Sequence, residues 1–206
     1  MAYVIMEQIY GRSLDVIWPS LSTSNKESLG RQLRIVLRDM RQLPTPGGHC
    51  SVGHGGLADR AFWLSDGHHP CTFATELELD NYLHDKAIEA TRSITLQSAL
   101  QMWIRRVFLT HPPTFTHENL QRKNIVVGGG GSITILGWRT AGWYPSYWEW
   151  ARSCHIDGAD RNDWSQLVQS SLQQAHIGHV VFLERLWEEA PSTQGLGPSF
   201  IPAQTV

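Results

Sequence analysis

Four consecutive glycines, residues 128–131, constrain the fold of this chain more than any other feature of its sequence. They separate two short apolar stretches, residues 124–127 and 132–136. Glycine accepts positive φ without a steric penalty, so the run predicts a tight turn between two antiparallel strands. A phosphate-binding loop is the alternative, but that motif needs a lysine after its last glycine, and Ser132 follows here. The pattern therefore predicts a hairpin within residues 115–138.

Most of the remaining periodicity is helical. Ser24 with Glu27, and Thr75 with Glu78, form two capping boxes, and apolar residues at helical spacing follow each. The first of these helices is predicted to reach Leu43, just before a proline-rich loop. Further apolar stripes predict helices over residues 95–109, after residue 162, and over residues 177–189.

One additional strand is predicted near the start of the chain, where apolar residues alternate over residues 3–9. A few strands among several helices predict an α+β, mainly helical fold. We expect one domain over residues 1–190 and a disordered tail over residues 191–206, where glycine, proline and serine are frequent.

Composition excludes several classes of protein. The 206 residues contain no apolar run of the length that a membrane span needs, and the first residues lack the basic segment of a secretion signal. Seventeen basic and 19 acidic residues give a formal charge of −2, which argues against a nucleic-acid partner. Three cysteines form an odd set, which favours reduced thiols and a cytoplasmic location.

A zinc site is a weak alternative for the long loop at residues 44–72. Six potential ligands occur there: His49, Cys50, His54, His68, His69 and Cys71. Their spacing lacks a clean pair of cysteine or histidine ligand motifs, so we interpret them as polar loop residues and expect no metal. The nine tryptophans of the chain suit core packing first and pocket walls second.

The segment H-E-N-L-Q-R-K-N-I-V-V, which begins at His117, points to a family. It resembles the catalytic loop H-G-D-L-x-x-x-N-I-x-V of the aminoglycoside phosphotransferase and choline-kinase-like family. The block A-G-W-Y-P-S-Y-W-E-W at residues 141–150 resembles a block common in fungal members, and residues 73–83 resemble a third family stretch. The resemblance covers about residues 3–190 in order. It implies the C-terminal lobe of a protein-kinase-like fold, with residues 3–9 as the hinge strand.

The resemblance also implies which residues form the site. The catalytic and metal-binding positions correspond to His117, Asn119, Asn124 and Gly137. Met6 and Glu7 occupy the hinge, where the family binds its nucleotide cofactor. A substrate groove would be lined by Trp138, Trp143, Tyr147, Trp148 and Glu149.

Departures from the family pattern bear directly on catalysis. Asn119 replaces the aspartate that accepts the proton of the substrate hydroxyl, and Gly137 replaces the aspartate that holds Mg²⁺. The sequence also begins at the hinge, so we expect the N-terminal lobe that grips the phosphates to be missing. These differences predict a catalytically degenerate protein that needs neither ATP nor Mg²⁺.

Three functions are compatible with the sequence. The first is a pseudokinase-like binding or scaffold protein. The second is a repurposed non-redox enzyme of fungal secondary metabolism, acting on a small metabolite in the tryptophan-lined groove. The third is residual ATP-dependent phosphorylation of a small molecule, which alone would require ATP and Mg²⁺. An uncovered hinge strand would also favour a homodimer or a protein partner at residues 3–9, with no membrane contact.

Overall fold

The computed structural model describes residues 7–62, 71–90, 111–155, 163–172, 179–180 and 183. Within these residues the chain forms an α+β fold with five α-helices and two small antiparallel sheets. The helices are α1 (Leu14–Ile17), α2 (Thr23–Met40), α3 (Glu76–Ala90), α4 (Trp148–Cys154) and α5 (Asp163–Leu172). The strands are β1 (Arg12–Ser13), β2 (Cys50–Ser51), β3 (Pro113–Thr116), β4 (Ile125–Val127), β5 (Ile133–Ile135) and β6 (Gly142–Pro145).

The glycine run joins β4 to β5, which confirms the predicted hairpin. Ile125 pairs with Ile135 and Val127 with Ile133 in an antiparallel register. Gly130 has φ of 78° in the turn, a conformation that a side chain at Cβ would disfavour. β1 adds to the outer edge of β4, so the order of this sheet is β1–β4–β5.

The second sheet has the order β2–β6–β3. β6 lies in the middle and pairs with both neighbours, so that Trp143 is opposite Cys50 on one side and Phe115 on the other. This sheet places β2, which belongs to the loop predicted over residues 44–72, one strand away from β3, the strand that enters the His117 segment.

Two hydrophobic clusters form the core. In the first, buried residues of α2 and α5 pack with the hairpin. The rings of Trp18 and Trp164 meet edge to face there, 5.2 Å apart. The second cluster joins α3, α4 and β6 through buried aromatic rings, among them Phe62, Tyr144 and Trp148. Each fully buried side chain of this size contributes about 1.5–3 kcal/mol to folding.

The two predicted capping boxes have different outcomes. At α3 the Thr75 cap is confirmed, because the Glu78 N–H donates to Thr75 Oγ1 at 3.2 Å, while the Glu78 carboxylate accepts from the Ala74 N–H, one residue before the cap. At α2 it is wrong: the cap is Ser22, whose hydroxyl accepts from the Asn25 N–H at 3.3 Å. Ser22 has the extended backbone that an N-cap requires, whereas Ser24 already lies inside the helix.

Other boundaries also differ from the predictions. α2 ends at Met40, and Leu43 beyond it is largely exposed. Residues 7–9, predicted as part of a hinge strand, have no regular structure, and residues 3–6 of that strand lie outside the described residues. The helix predicted after residue 162 is confirmed as α5.

Several predictions lie outside the described part of the chain. These are the helix at residues 95–109, most of the helix at residues 177–189 and the tail at residues 191–206. Among the described residues, no helix combines the length and apolarity that crossing a bilayer requires. Within the same ranges, no three histidine, cysteine or acidic side chains are grouped as metal ligands; His68 and His69 fall outside them.

Candidate functional site

The His117 segment forms a loop, residues 117–121, between β3 and a short 3-10 turn at Arg122–Asn124. The buried carboxylate of Glu149, in the first turn of α4, holds this loop. It accepts the His117 N–H at 2.5 Å and the Glu118 N–H at 3.1 Å. At the other end of the loop, Trp164 Nε1–H donates to the Leu120 carbonyl at 2.7 Å. The loop is therefore anchored to two helices through its backbone.

His117 connects the loop to the strand that follows the hairpin. Its imidazole Nε2 lies 2.9 Å from the Leu136 carbonyl, and its Nδ1 lies 3.2 Å from the Asn119 N–H. This pattern requires Nε2 to donate and Nδ1 to accept, which is the neutral form of the ring. Burial lowers the pKa of His117, in agreement with that neutral form.

The structure brings together the three predicted catalytic positions other than His117. Asn124 Nδ2–H donates to the Asn119 carbonyl at 2.8 Å, and the Leu136 N–H donates to the Asn124 carbonyl at 2.7 Å. Gly137 comes next, with φ of 82°. A Cβ on Gly137 would lie 3.0 Å from Cγ of Asn124. Asn119, Asn124 and Gly137 are thus contiguous, and all three are uncharged.

Sequence reasoning missed the buried ion cluster behind the loop. Glu118 is 6% exposed, and its Oε1 lies 2.7 Å from Nε of Arg152. Arg152 Nε also lies 3.5 Å from Oδ2 of the buried Asp59. Burial raises the pKa of Glu118 to about 8; Arg152 opposes that rise, and Asp59 adds to it.

One residue of the sequence, Glu118, could have pointed to this cluster. Glu118 corresponds to the glycine of the pattern H-G-D-L, and its φ of 76° is a backbone conformation that glycine adopts more readily than other residues. A carboxylate in that conformation marks the position as unusual. Its partners Arg152 and Asp59 are too distant in sequence for any local pattern to reveal them.

The buried carboxylate of Glu149 is surrounded by hydrogen-bond donors and cationic groups. Burial raises its pKa to about 7, while the two loop N–H groups, Arg41 and Arg152 act in the opposite direction. Arg41 is fixed from another side, because its Nη2 donates to the Ser146 carbonyl at 2.9 Å. The carboxylate predicted to line a substrate groove therefore contacts the backbone of the loop.

The other predicted groove residues are distributed between the core and the surface. Tyr147 and Trp148 are fully buried in the second core cluster, and Trp143 is half-buried beside Phe115. Trp138 is 40% exposed and meets the His117 ring edge to face at 4.7 Å. Of these residues, Trp138 is the most accessible to a ligand.

The structure describes one of the two predicted hinge residues. Glu7 is exposed, and Met6 lies outside the described residues. Directly behind the loop, between Glu118, Glu149 and Arg152, there is a space of about 10 Å³. That is room for about one water molecule.

Comparison with known proteins gives the family. A model of the phosphotransferase enzyme family, APH, matches residues 1–189. The chain belongs to this family. The predicted resemblance to aminoglycoside phosphotransferases is confirmed at that level, and membership suggests a kinase-like fold. A comparison with curated proteins finds no match.

Proposed function

We propose that this member of the APH family is a pseudokinase-like binding or scaffold protein that does not transfer phosphate. Its described residues would belong to the C-terminal lobe of the kinase-like fold. One observation carries the proposal: Asn119, Asn124 and Gly137 lie together where the family pattern calls for two aspartates and an asparagine. Fold membership alone does not determine activity, so the proposal rests on these side chains.

The first argument concerns the general base. In phosphotransfer of this type, an aspartate accepts the proton of the attacking hydroxyl. The amide of Asn119 is neutral and does not accept a proton at ordinary pH. Two carboxylates lie nearby, but both have other contacts. Glu118 is paired with Arg152, and Glu149 accepts two backbone N–H groups.

The second argument concerns the metal. Mg²⁺ is usually held by one or two carboxylates together with phosphate oxygens and water. Gly137 offers no side-chain oxygen, and the Nδ2 of Asn124 already donates to the Asn119 carbonyl. One amide oxygen then remains, and a single neutral ligand is a poor substitute for a carboxylate.

A turnover assay tests the proposal. The purified chain is incubated with MgATP and a panel of alcohols and amines, and both ADP release and substrate phosphorylation are measured. We expect neither above a no-protein control. Turnover that Asn119→Ala abolishes would overturn the proposal in favour of residual phosphotransfer. Turnover of a small molecule without ATP would instead support a repurposed enzyme.

A restoration experiment sharpens the result. The double variant Asn119→Asp/Gly137→Asp returns both carboxylates, and we expect no transfer activity from it. An aspartate at position 137 would have to adopt left-handed backbone and would press its Cβ against Asn124. Recovery of phosphotransfer would show that the remaining site is intact and that only these two residues separate the chain from an active enzyme.

A further inference from the structure

A cavity separate from the loop lies between α2 and the end of α5. Its volume is about 400 Å³, within the range of about 300–1,000 Å³ typical of small-molecule sites. The residues that line it come from α2, the two residues after it and the last two residues of α5. The loop at residues 117–121 contributes none of the described lining.

Three arginines give this cavity its charge. Arg34, Arg38 and Arg41 follow one another at spacings of four and three residues, so they share one face of the helix and its C-terminal extension. No aspartate or glutamate is found among the described residues that line the cavity. Arginine stays protonated at all ordinary pH values and binds carboxylate and phosphate groups in a forked geometry.

The existing contacts of Arg34 and Arg38 leave both able to bind an anion, whereas Arg41 is already held by the Ser146 carbonyl and faces Glu149. Arg38 pairs with Asp39 at 2.8 Å, but both side chains are more than half exposed, and such surface pairs are weak. Within the described part of the chain, Arg34 donates to the Ser170 carbonyl at the long distance of 3.5 Å. An anion that binds Arg34 and Arg38 therefore competes with contacts that contribute little.

The rest of the lining is apolar. Leu37 and Leu172 are buried at the base of the cavity, and Ile35 is 52% exposed at its side. An exposed isoleucine beside buried leucines provides a surface for a hydrocarbon group. The site therefore combines cationic and apolar surfaces.

We propose that this cavity binds an amphipathic anion, a molecule with an apolar body and one carboxylate or phosphate head group. Arg34 and Arg38 contact the head group, and the three apolar side chains contact the body. This site is distinct from the loop, so the proposal holds whether or not the chain transfers phosphate.

Isothermal titration calorimetry of the wild-type chain with matched eight-carbon probes tests the need for the anionic head group and the need for the apolar body. The probes are octyl phosphate, octanoate, octyltrimethylammonium and inorganic phosphate, each used below the concentration at which it forms micelles. We expect at least one of the two anionic amphiphiles to bind with Kd below about 1 mM. The cationic amphiphile and inorganic phosphate should each bind at least tenfold more weakly.

Two double variants test whether the anion binds in this cavity. Arg34→Gln/Arg38→Gln should weaken the anion at least tenfold, whereas the control Arg31→Gln/Arg139→Gln removes two exposed charges that do not line the cavity and should leave Kd within twofold. Circular dichroism checks that each variant is folded. If the first variant fails to fold, the comparison of the four probes on the wild-type chain still tests the proposal.

Several results would overturn the proposal. These are no binding of either anionic amphiphile, equal binding of the anionic and cationic probes, equal binding of inorganic phosphate, or equal weakening by the two double variants. Selective binding of octyl phosphate over octanoate, or the reverse, would identify the head group.

Discussion

The two sides of the His117 loop differ in chemistry. The inner side faces the helices and contains the buried carboxylates of Glu118 and Glu149 together with Arg152, all in close polar contact. The outer side contains Asn119, Asn124 and Gly137, none of which can carry a charge. The residues that shape the loop therefore differ from the residues that the family uses for chemistry.

On the proposed function, this difference explains how the loop keeps its shape without the catalytic aspartates of the family pattern. The inner side satisfies the N–H groups of His117 and Glu118 through Glu149, and the Leu120 carbonyl through Trp164. A substitution of Asn119 or Gly137 on the outer side leaves these three backbone groups paired. The four predictions below test this separation, beginning with the largest effect.

The inner side should be costly to disturb. Replacing Glu149 by alanine leaves the N–H groups of His117 and Glu118 without their acceptor, and it removes the negative charge that faces Arg41. We expect the free energy of unfolding to fall by about 3 kcal/mol. Urea denaturation followed by tryptophan fluorescence measures the change.

The matched control is Glu27→Ala, which removes an exposed carboxylate from the first part of α2. It should change the free energy of unfolding by less than about 0.5 kcal/mol. If Glu149→Ala were as mild as this control, the loop would not depend on the inner side, and the proposed separation would fail.

The raised pKa values of the inner carboxyls predict a pH dependence. Glu118 titrates near 8 and Glu149 near 7 in the folded chain, whereas both titrate near 4.5 when unfolded. The folded state therefore binds more protons, so stability is highest below the unfolded value and is lost as pH rises through 7 and 8. We expect the free energy of unfolding to fall by about 1 kcal/mol per pH unit between about pH 7 and 8.5.

The two buried histidines near the sheet and the loop contribute little in this interval. Burial lowers the pKa of His49 to about 4 and also lowers that of His117, so both are neutral in the folded and unfolded states above about pH 7. Glu118→Gln removes the inner carboxyl with the higher pKa, and it should flatten the slope. A wild-type stability that rises over this interval would contradict the assigned burial of the inner carboxyls.

The sequence could predict the local parts of this arrangement. The hairpin and the Thr75 cap of α3 depend on residues within a few positions of one another, and both are confirmed. The cap of α2 was misplaced by two residues because Ser22 and Ser24 are chemically equivalent, and only backbone conformation separates them. The residues of the outer side could be predicted because they lie in a segment that resembles the family's catalytic loop and the strand after it.

The inner side could not be predicted because its contacts are not local. Glu149 reaches the loop across 31 and 32 residues, and Arg152 pairs with Glu118 from a similar distance. For the same reason, Tyr147 and Trp148 were predicted to line a groove. Aromatic residues next to a functional segment suit either a pocket or a core. Here both side chains are buried in one cluster with residues of α3, so they belong to the core.

The outer side should tolerate change except where backbone geometry forbids it. Gly137→Ala places a Cβ at a positive φ and 3.0 Å from Asn124, so we expect a loss of about 1–2 kcal/mol in the free energy of unfolding. Gly129→Ala is the control, since a Cβ there meets nothing within 4 Å. Equal effects of the two variants would mean that Gly137 is not held in this conformation.

Asn119→Ala should have the smallest effect of the four. Within the described residues, Asn119 is hydrogen-bonded through its backbone: its N–H donates to His117, and its carbonyl accepts from Asn124 and from the Gln121 N–H. These contacts survive the substitution, so the free energy of unfolding should change by less than about 0.5 kcal/mol. The same urea denaturation measures it, with Asn124→Ala as the comparison, because that variant deletes one of the two donors to the Asn119 carbonyl and should cost about 1 kcal/mol. A loss from Asn119→Ala as large as that from Asn124→Ala would show that the Asn119 amide supports the loop, and the outer side would then be structural as well.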